Sequence, residues 1–138
     1  MYGSLPQDRI KKNLEIAVKE ARDYMIEHQD DFPEDQRPAS LEKIIEHVHF
    51  IVNNTYIDND SDHVLRHQII GIPIGTNCAS RIANLTLYVD EAAFIDKLLR
   101  EGRQTEAAKH LFNRRYIDDM ISFGVSPPPI EAYVDLSI

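Results

Sequence analysis

At 138 residues the chain has the length of one ordinary domain, and a 43% hydrophobic share supplies enough apolar side chains for a core. Charged residues make up 28% and no low-complexity tract interrupts the sequence, which excludes a disordered chain. The net charge of −8 weighs against a free-standing duplex binder, a class that is usually basic. No apolar run approaches the length of a membrane span, and Met1 to Pro6 lack the charged and apolar regions of a signal peptide. Cys78 is the single cysteine, so no internal disulfide framework exists and a reducing compartment fits. These features predict an intracellular protein, nuclear or cytoplasmic, with no membrane partner.

The first element is a helix. Ser4 is placed to cap it, with Pro6 in the first turn and Asp8 near the positive end of the dipole. Ile10, Leu14, Val18, Ala21 and Met25 recur at helical spacing and predict a buried stripe ending near Gln29. Asp30 to Ala39, with Pro33 and Pro38, reads as a loop. Ser40 then caps a second helix whose stripe is Leu41, Ile44, Ile45, Val48 and Val52. His47 and His49 lie two apart, so they do not share a helix face as a metal pair would need.

Thr55 to Ile57 and Val64 to Ile72 read as strands around an acidic turn, Asp58-Asn59-Asp60-Ser61-Asp62. A calcium loop would need Gly at its sixth position and Glu at its twelfth. His63 and Ile69 stand there, so the segment reads as a solvated turn. His63 and His67 lack the Glu that the helical zinc motif requires. Gly71-Ile72-Pro73-Ile74-Gly75 breaks the strand and shapes a tight turn. A long helix is predicted from about Asn77 to Arg100, with Ile82, Leu85, Val89, Ala92, Ile95 and Leu99 on its core face and Gly102 at its end. Thr105 to Lys109 fit a single helical turn. Pro127-Pro128-Pro129 halts regular structure, and Ile130 to Ile138 fit the start of another helix.

The chemistry is concentrated in Arg114-Arg115-Tyr116-Ile117-Asp118-Asp119-Met120-Ile121. Two adjacent aspartates sit between β-prone runs, which predicts a hairpin with a doubly charged tip. Neighbouring carboxylates repel, and a bound cation relieves them. Mg²⁺ is held by one or two carboxylates plus substrate phosphates. The plainer account is a solvated turn, because Asp is a favoured turn residue.

A glycine-proline turn feeding a helix, followed by a hairpin with paired aspartates, resembles the palm of reverse transcriptases. Gly71-Ile72-Pro73-Ile74-Gly75 looks like the Gly-x-Pro-x-Gly motif, and Tyr116-Ile117-Asp118-Asp119 like the Tyr-x-Asp-Asp motif. The wording Gly-Ile-Pro-Ile-Gly-Thr-Asn-Cys-Ala, Ala83-Asn84-Leu85, Val52-Asn53-Asn54-Thr55-Tyr56 and Arg115-Tyr116-Ile117-Asp118-Asp119 is similar to Penelope-like retroelement reverse transcriptases. Met1 to Pro6 looks like the tail of that family's first catalytic motif. Ile74 stands where many reverse transcriptases have Gln and this family usually has Met, which fits contact by packing. Ser80 stands where the family commonly has Pro.

The resemblance implies an α+β fold, part of a right-hand polymerase palm with helices packed on a small antiparallel sheet of hairpins. It implies two-metal phosphoryl transfer with Mg²⁺, an RNA template, a DNA primer and a deoxynucleoside triphosphate. Asp118 would be the principal metal ligand and Asp119 a supporting one. Tyr116 would stand beside the primer terminus, and Gly71, Pro73, Ile74 and Gly75 would shape the turn that meets nucleotide and template. The family's first catalytic aspartate lies a few residues before the Tyr-x-Ser-Leu-Pro segment, and none of Asp8, Asp23 or Asp30 has a matching context. Residues 1–138 are therefore expected to be one partial palm domain, truncated at both ends and inactive alone. The competing expectations are a decayed or repurposed non-catalytic interaction module and, more weakly, a simple metal-binding helical protein.

Overall fold

The computed structural model describes residues 5–33, 39–59, 64–72, 75–116 and 119–122. Its elements run α1 (Gln7–Glu27), a 3₁₀ turn (Gln29–Asp31), α2 (Leu41–Asn53), β1 (Tyr56–Asn59), β2 (Val64–His67), α3 (Ala79–Arg100), α4 (Gln104–His110), β3 (Arg114–Tyr116) and β4 (Asp119–Ile121). Helices and antiparallel strands together make this an α+β chain.

α1 begins at Gln7, with Pro6 at the N-cap position and no side-chain cap. The expected cap, Ser4, lies outside the described residues. Asp8 does occupy the first turn. Proline suits the flanking position because its φ of −59° is preset and it has no N–H to leave unpaired. The Ser40 cap forms as expected: its Oγ accepts from the Lys43 N–H at 3.3 Å. Gly102 ends α3 at φ 72°. The Gly102 N–H donates to Leu99 O at 3.1 Å and the Arg103 N–H to Leu98 O at 2.9 Å, the paired bonds of a Schellman stop. The single turn expected at Thr105 to Lys109 is present as the slightly longer α4.

α1 packs against both α2 and α3, and α4 packs against the end of α3. The buried cluster joins Ile10 and Leu14 of α1, Val52 of α2, Ile72, and Ile82, Ala83 and Leu87 of α3. Each fully buried aliphatic side chain of this kind contributes about 1.5–3 kcal/mol. β1 pairs with β2 from Tyr56↔His67 to Asn59↔Val64, and β3 with β4 from Arg114↔Ile121 to Tyr116↔Asp119. The two hairpins form two separate two-stranded sheets among the described residues, where one sheet was expected. The helices bury their apolar faces chiefly against one another, and all four β2 residues remain exposed.

The buried faces also differ from the apolar stripes. On α1 the buried residues are Ile10, Asn13, Leu14 and Ala17, while Ala21 is exposed. On α3 they are Ile82, Ala83, Thr86, Leu87, Asp90 and Leu98, while Leu85 and Leu99 are 39% and 48% exposed. The reason is a polar contact through the helix interface. Asn13 Nδ2 donates to Thr86 O at 2.8 Å and to Asp90 Oδ1 at 3.0 Å. Arg9 Nη2 meets Asp90 Oδ2 at 2.9 Å, with both side chains nearly buried. A stripe drawn from apolar residues alone omits these positions and points α3 in a different direction.

Two stability measurements follow. Leu87→Ala is expected to cost about 2–5 kcal/mol in urea unfolding, whereas Leu85→Ala costs about 0.5 kcal/mol, reversing the order a simple stripe would imply. Asn13→Ala is expected to cost about 1–3 kcal/mol, because it removes the buried donor that reaches both Asp90 Oδ1 and the Thr86 carbonyl.

Candidate functional site

The two halves of the sequence-predicted site are described to different extents. Gly71 is buried at φ 83°, and Gly75 stands at φ 99°. Both lie in the left-handed region that favours glycine. A Cβ on Gly75 would meet nothing within 4 Å, so the backbone conformation, not crowding, demands glycine there. Pro73 and Ile74 lie outside the described residues. Between the glycines, Ile72 is buried in the helical core.

The strand expected to run from Val64 to Ile72 stops at His67. Beyond it the chain pairs with the start of α1. Pro6 and Ile70 form an isolated antiparallel bridge, and the Gly71 N–H donates to Leu5 O at 2.8 Å. Gln7 Nε2 donates to Gln68 O at 2.7 Å and to Val52 O at 3.2 Å. Gln68 Nε2 in turn donates to Ile70 O at 2.9 Å and Ile72 O at 3.0 Å. Neither glutamine was marked by sequence reasoning. Each is a polar residue off the apolar stripes, and only the fold shows which distant carbonyls it meets.

Downstream of Gly75, Thr76 and Cys78 shape the start of α3. The Ala79 N–H donates to Thr76 O at 3.1 Å, and Thr76 Oγ1 and Cys78 Sγ lie 3.3 Å apart. Ser80 is accommodated in the first turn of α3. Upstream, the Asn54 N–H and side chain both donate to Phe50 O, closing α2 just before β1.

The paired-aspartate segment does form a hairpin. Its register sets Tyr116 opposite Asp119, and Ile117 and Asp118 lie outside the described residues. The cluster around Ile72 includes none of the described residues of β3 and β4. The structure brings Leu5 and Pro6 to Gly71.

Among the described residues, no three His, Cys, Asp or Glu side chains converge as a metal site. Asp90, the buried carboxylate of α3, is held by Arg9 and Asn13 and is structural. Asp118 and Asp119 are donors of the right chemistry for Mg²⁺, which takes hard oxygen ligands, but they supply only part of a two-metal set. His47 Nδ1 lies 2.6 Å from Lys43 O, and His49 Nε2 lies 2.7 Å from Glu15 Oε1. The two histidines thus have separate partners. No described helix is long and apolar enough to cross a membrane. The chain matches no protein-family model, no curated protein and no solved structure.

Tyr88 of α3 has its pKa raised above the ordinary 10.0, first by the negative charge of Glu20 on α1, then by burial and a hydrogen bond to Glu20. The raised folded value favours the neutral phenol, so this contribution to stability is present below about pH 10 and is lost as pH rises through the folded value. Glu20→Gln is expected to bring the Tyr88 titration, followed by phenolate absorbance, back toward 10.0. Gly75→Ala is expected to cost about 1–2 kcal/mol in thermal unfolding, the penalty of a Cβ in left-handed backbone.

Proposed function

We propose that this chain is the palm segment of an RNA-directed DNA polymerase of the Penelope-like reverse transcriptase type. The observation that carries the reading is the pairing, in order, of the Gly71–Gly75 motif with the Tyr116–Asp119 motif on one short chain. The left-handed backbone at Gly71 and Gly75 supports it, because that motif would need a turn only glycine makes easily. The bond between Leu5 and Gly71 supports it too, since two segments resembling catalytic motifs lie side by side. The hairpin register that sets Tyr116 against Asp119 is a third support.

On this reading Asp118 and Asp119 hold Mg²⁺ together with the phosphates of a deoxynucleoside triphosphate. The metal held there would supply charge stabilisation for the attacking primer hydroxyl and the leaving pyrophosphate. Tyr116 stands beside the primer terminus, and Gly71, Pro73, Ile74 and Gly75 meet the nucleotide and template. Such chemistry takes carboxylates from at least two places in the fold. Among the described residues, no three carboxylate, His or Cys side chains gather as such a set, and Asp90 is committed to Arg9 and Asn13. The 138-residue chain alone is therefore expected to extend no primer.

A second reading, a non-catalytic interaction module, is favoured by one observation. Tyr56, Ile57, Val64 and Leu65 of the β1–β2 hairpin and Ile69 beyond it are exposed, and exposed apolar surface favours partner binding. The reading frame around the Met1 codon separates the two. An in-frame aspartate a few residues upstream is expected; a stop codon or frameshift there overturns the polymerase reading. In the protein with that aspartate, Asp118→Ala is expected to lower primer extension about a thousandfold, the loss of several kcal/mol of metal-borne charge stabilisation.

A further inference from the structure

We infer that Gln68 and Gln7 are positioning residues that set the backbone from Ile70 to Ile72, where the chain enters the Gly71–Gly75 motif. In terms of the proposed polymerase function, on which this part rests, they thereby tune affinity for the incoming deoxynucleoside triphosphate. A primary amide nitrogen carries two hydrogens, and both are used in each side chain. Gln68 Nε2 donates to Ile70 O at 2.9 Å and Ile72 O at 3.0 Å, the carbonyls on either side of Gly71. Gln7 Nε2 donates to Gln68 O at 2.7 Å and Val52 O at 3.2 Å. Because all four acceptors are carbonyl oxygens, only the nitrogen of each amide faces them.

The pair forms a relay. Gln7, at the first position of α1, holds the backbone of Gln68 and the last turn of α2. Gln68 also donates its own N–H to Thr55 O at 2.9 Å, just before β1. From that fixed point its side chain grips the two carbonyls flanking a glycine at φ 83°, while the glycine N–H donates to Leu5 O. A glycine with positive φ has many other conformations open to it, so bonds on both sides are what hold one of them. The stretch from Ile70 to Ile72 is thereby referenced to α1, α2 and the residue before β1 at once.

Gln68→Glu keeps the shape but removes the donor and sets a carboxylate against two carbonyl oxygens. Amide hydrogen exchange of the whole chain reads the result. Protection of the Gly71 amide is expected to fall about tenfold or more, with Thr86 and Leu87 of α3 unchanged within about twofold. Protection should recover in part at acid pH, where the protonated carboxyl regains an O–H donor. Gln7→Glu is the second variant and should loosen Gly71 in the same direction. Unchanged Gly71 protection in both variants, or an equal loss at Thr86 and Leu87, overturns the positioning role. In a chain that extends primers, Gln68→Glu is expected to raise the nucleotide KM several-fold with kcat within about twofold. An unchanged KM overturns the nucleotide part. Absence of extension by the protein that carries the upstream aspartate counts against the polymerase reading alone, and the exchange result still decides the positioning role.

Discussion

Asn13 is buried between two helices, and a buried amide must find partners or cost the chain its desolvation. It finds them in the Thr86 carbonyl and the Asp90 carboxylate, and Asp90 is neutralised by Arg9. Donor and acceptor geometry is directional where apolar packing is not, so this contact fixes which side of α3 faces α1. The neighbours follow: Ile82, Ala83 and Leu87 turn inward onto Ile10 and Leu14, and Leu85 and Leu99 turn outward.

With α1 fixed on α3, its N-terminus becomes an anchor for the middle of the chain. Leu5, Pro6 and Gln7 meet Gln68, Ile70 and Gly71 through backbone and amide hydrogen bonds. Ile72 then drops into the same core that α1 and α3 share. The glycine-proline turn is therefore not an independent loop. Its entry is tied to the helix interface, and its exit at Gly75 leads directly into the turn that starts α3. A segment that meets a nucleotide on the proposed reading would gain pre-organisation from such ties, because freedom removed before binding need not be lost during it.

Among the described residues, neither hairpin contributes a side chain to the buried cluster. β1 and β2 expose apolar side chains, Leu65 at 67% and Ile69 just beyond at 75%. An isolated two-stranded hairpin is marginal in water, and such strands ordinarily gain stability by packing on something else. This is the feature on which a palm with further parts and a free-standing interaction module agree physically, since both require a partner surface.

Much was legible in the sequence where the cause is local. Ser40 caps α2 because a hydroxyl can reach an N–H three residues on, and Gly102 stops α3 because it tolerates left-handed backbone. The hairpin at Tyr116 and Asp119 and the special backbone at Gly71 and Gly75 follow from residue type in the same way. What tertiary structure alone decided is which groups distant in sequence meet. Asn13 with Asp90, Gln7 with Gln68 and Leu5 with Gly71 are partners across long separations, and hydrogen-bonding residues carry no periodic mark naming their partner. Apolar periodicity shows that a helix has an inner face. The direction of that face was decided by where buried polar atoms are satisfied.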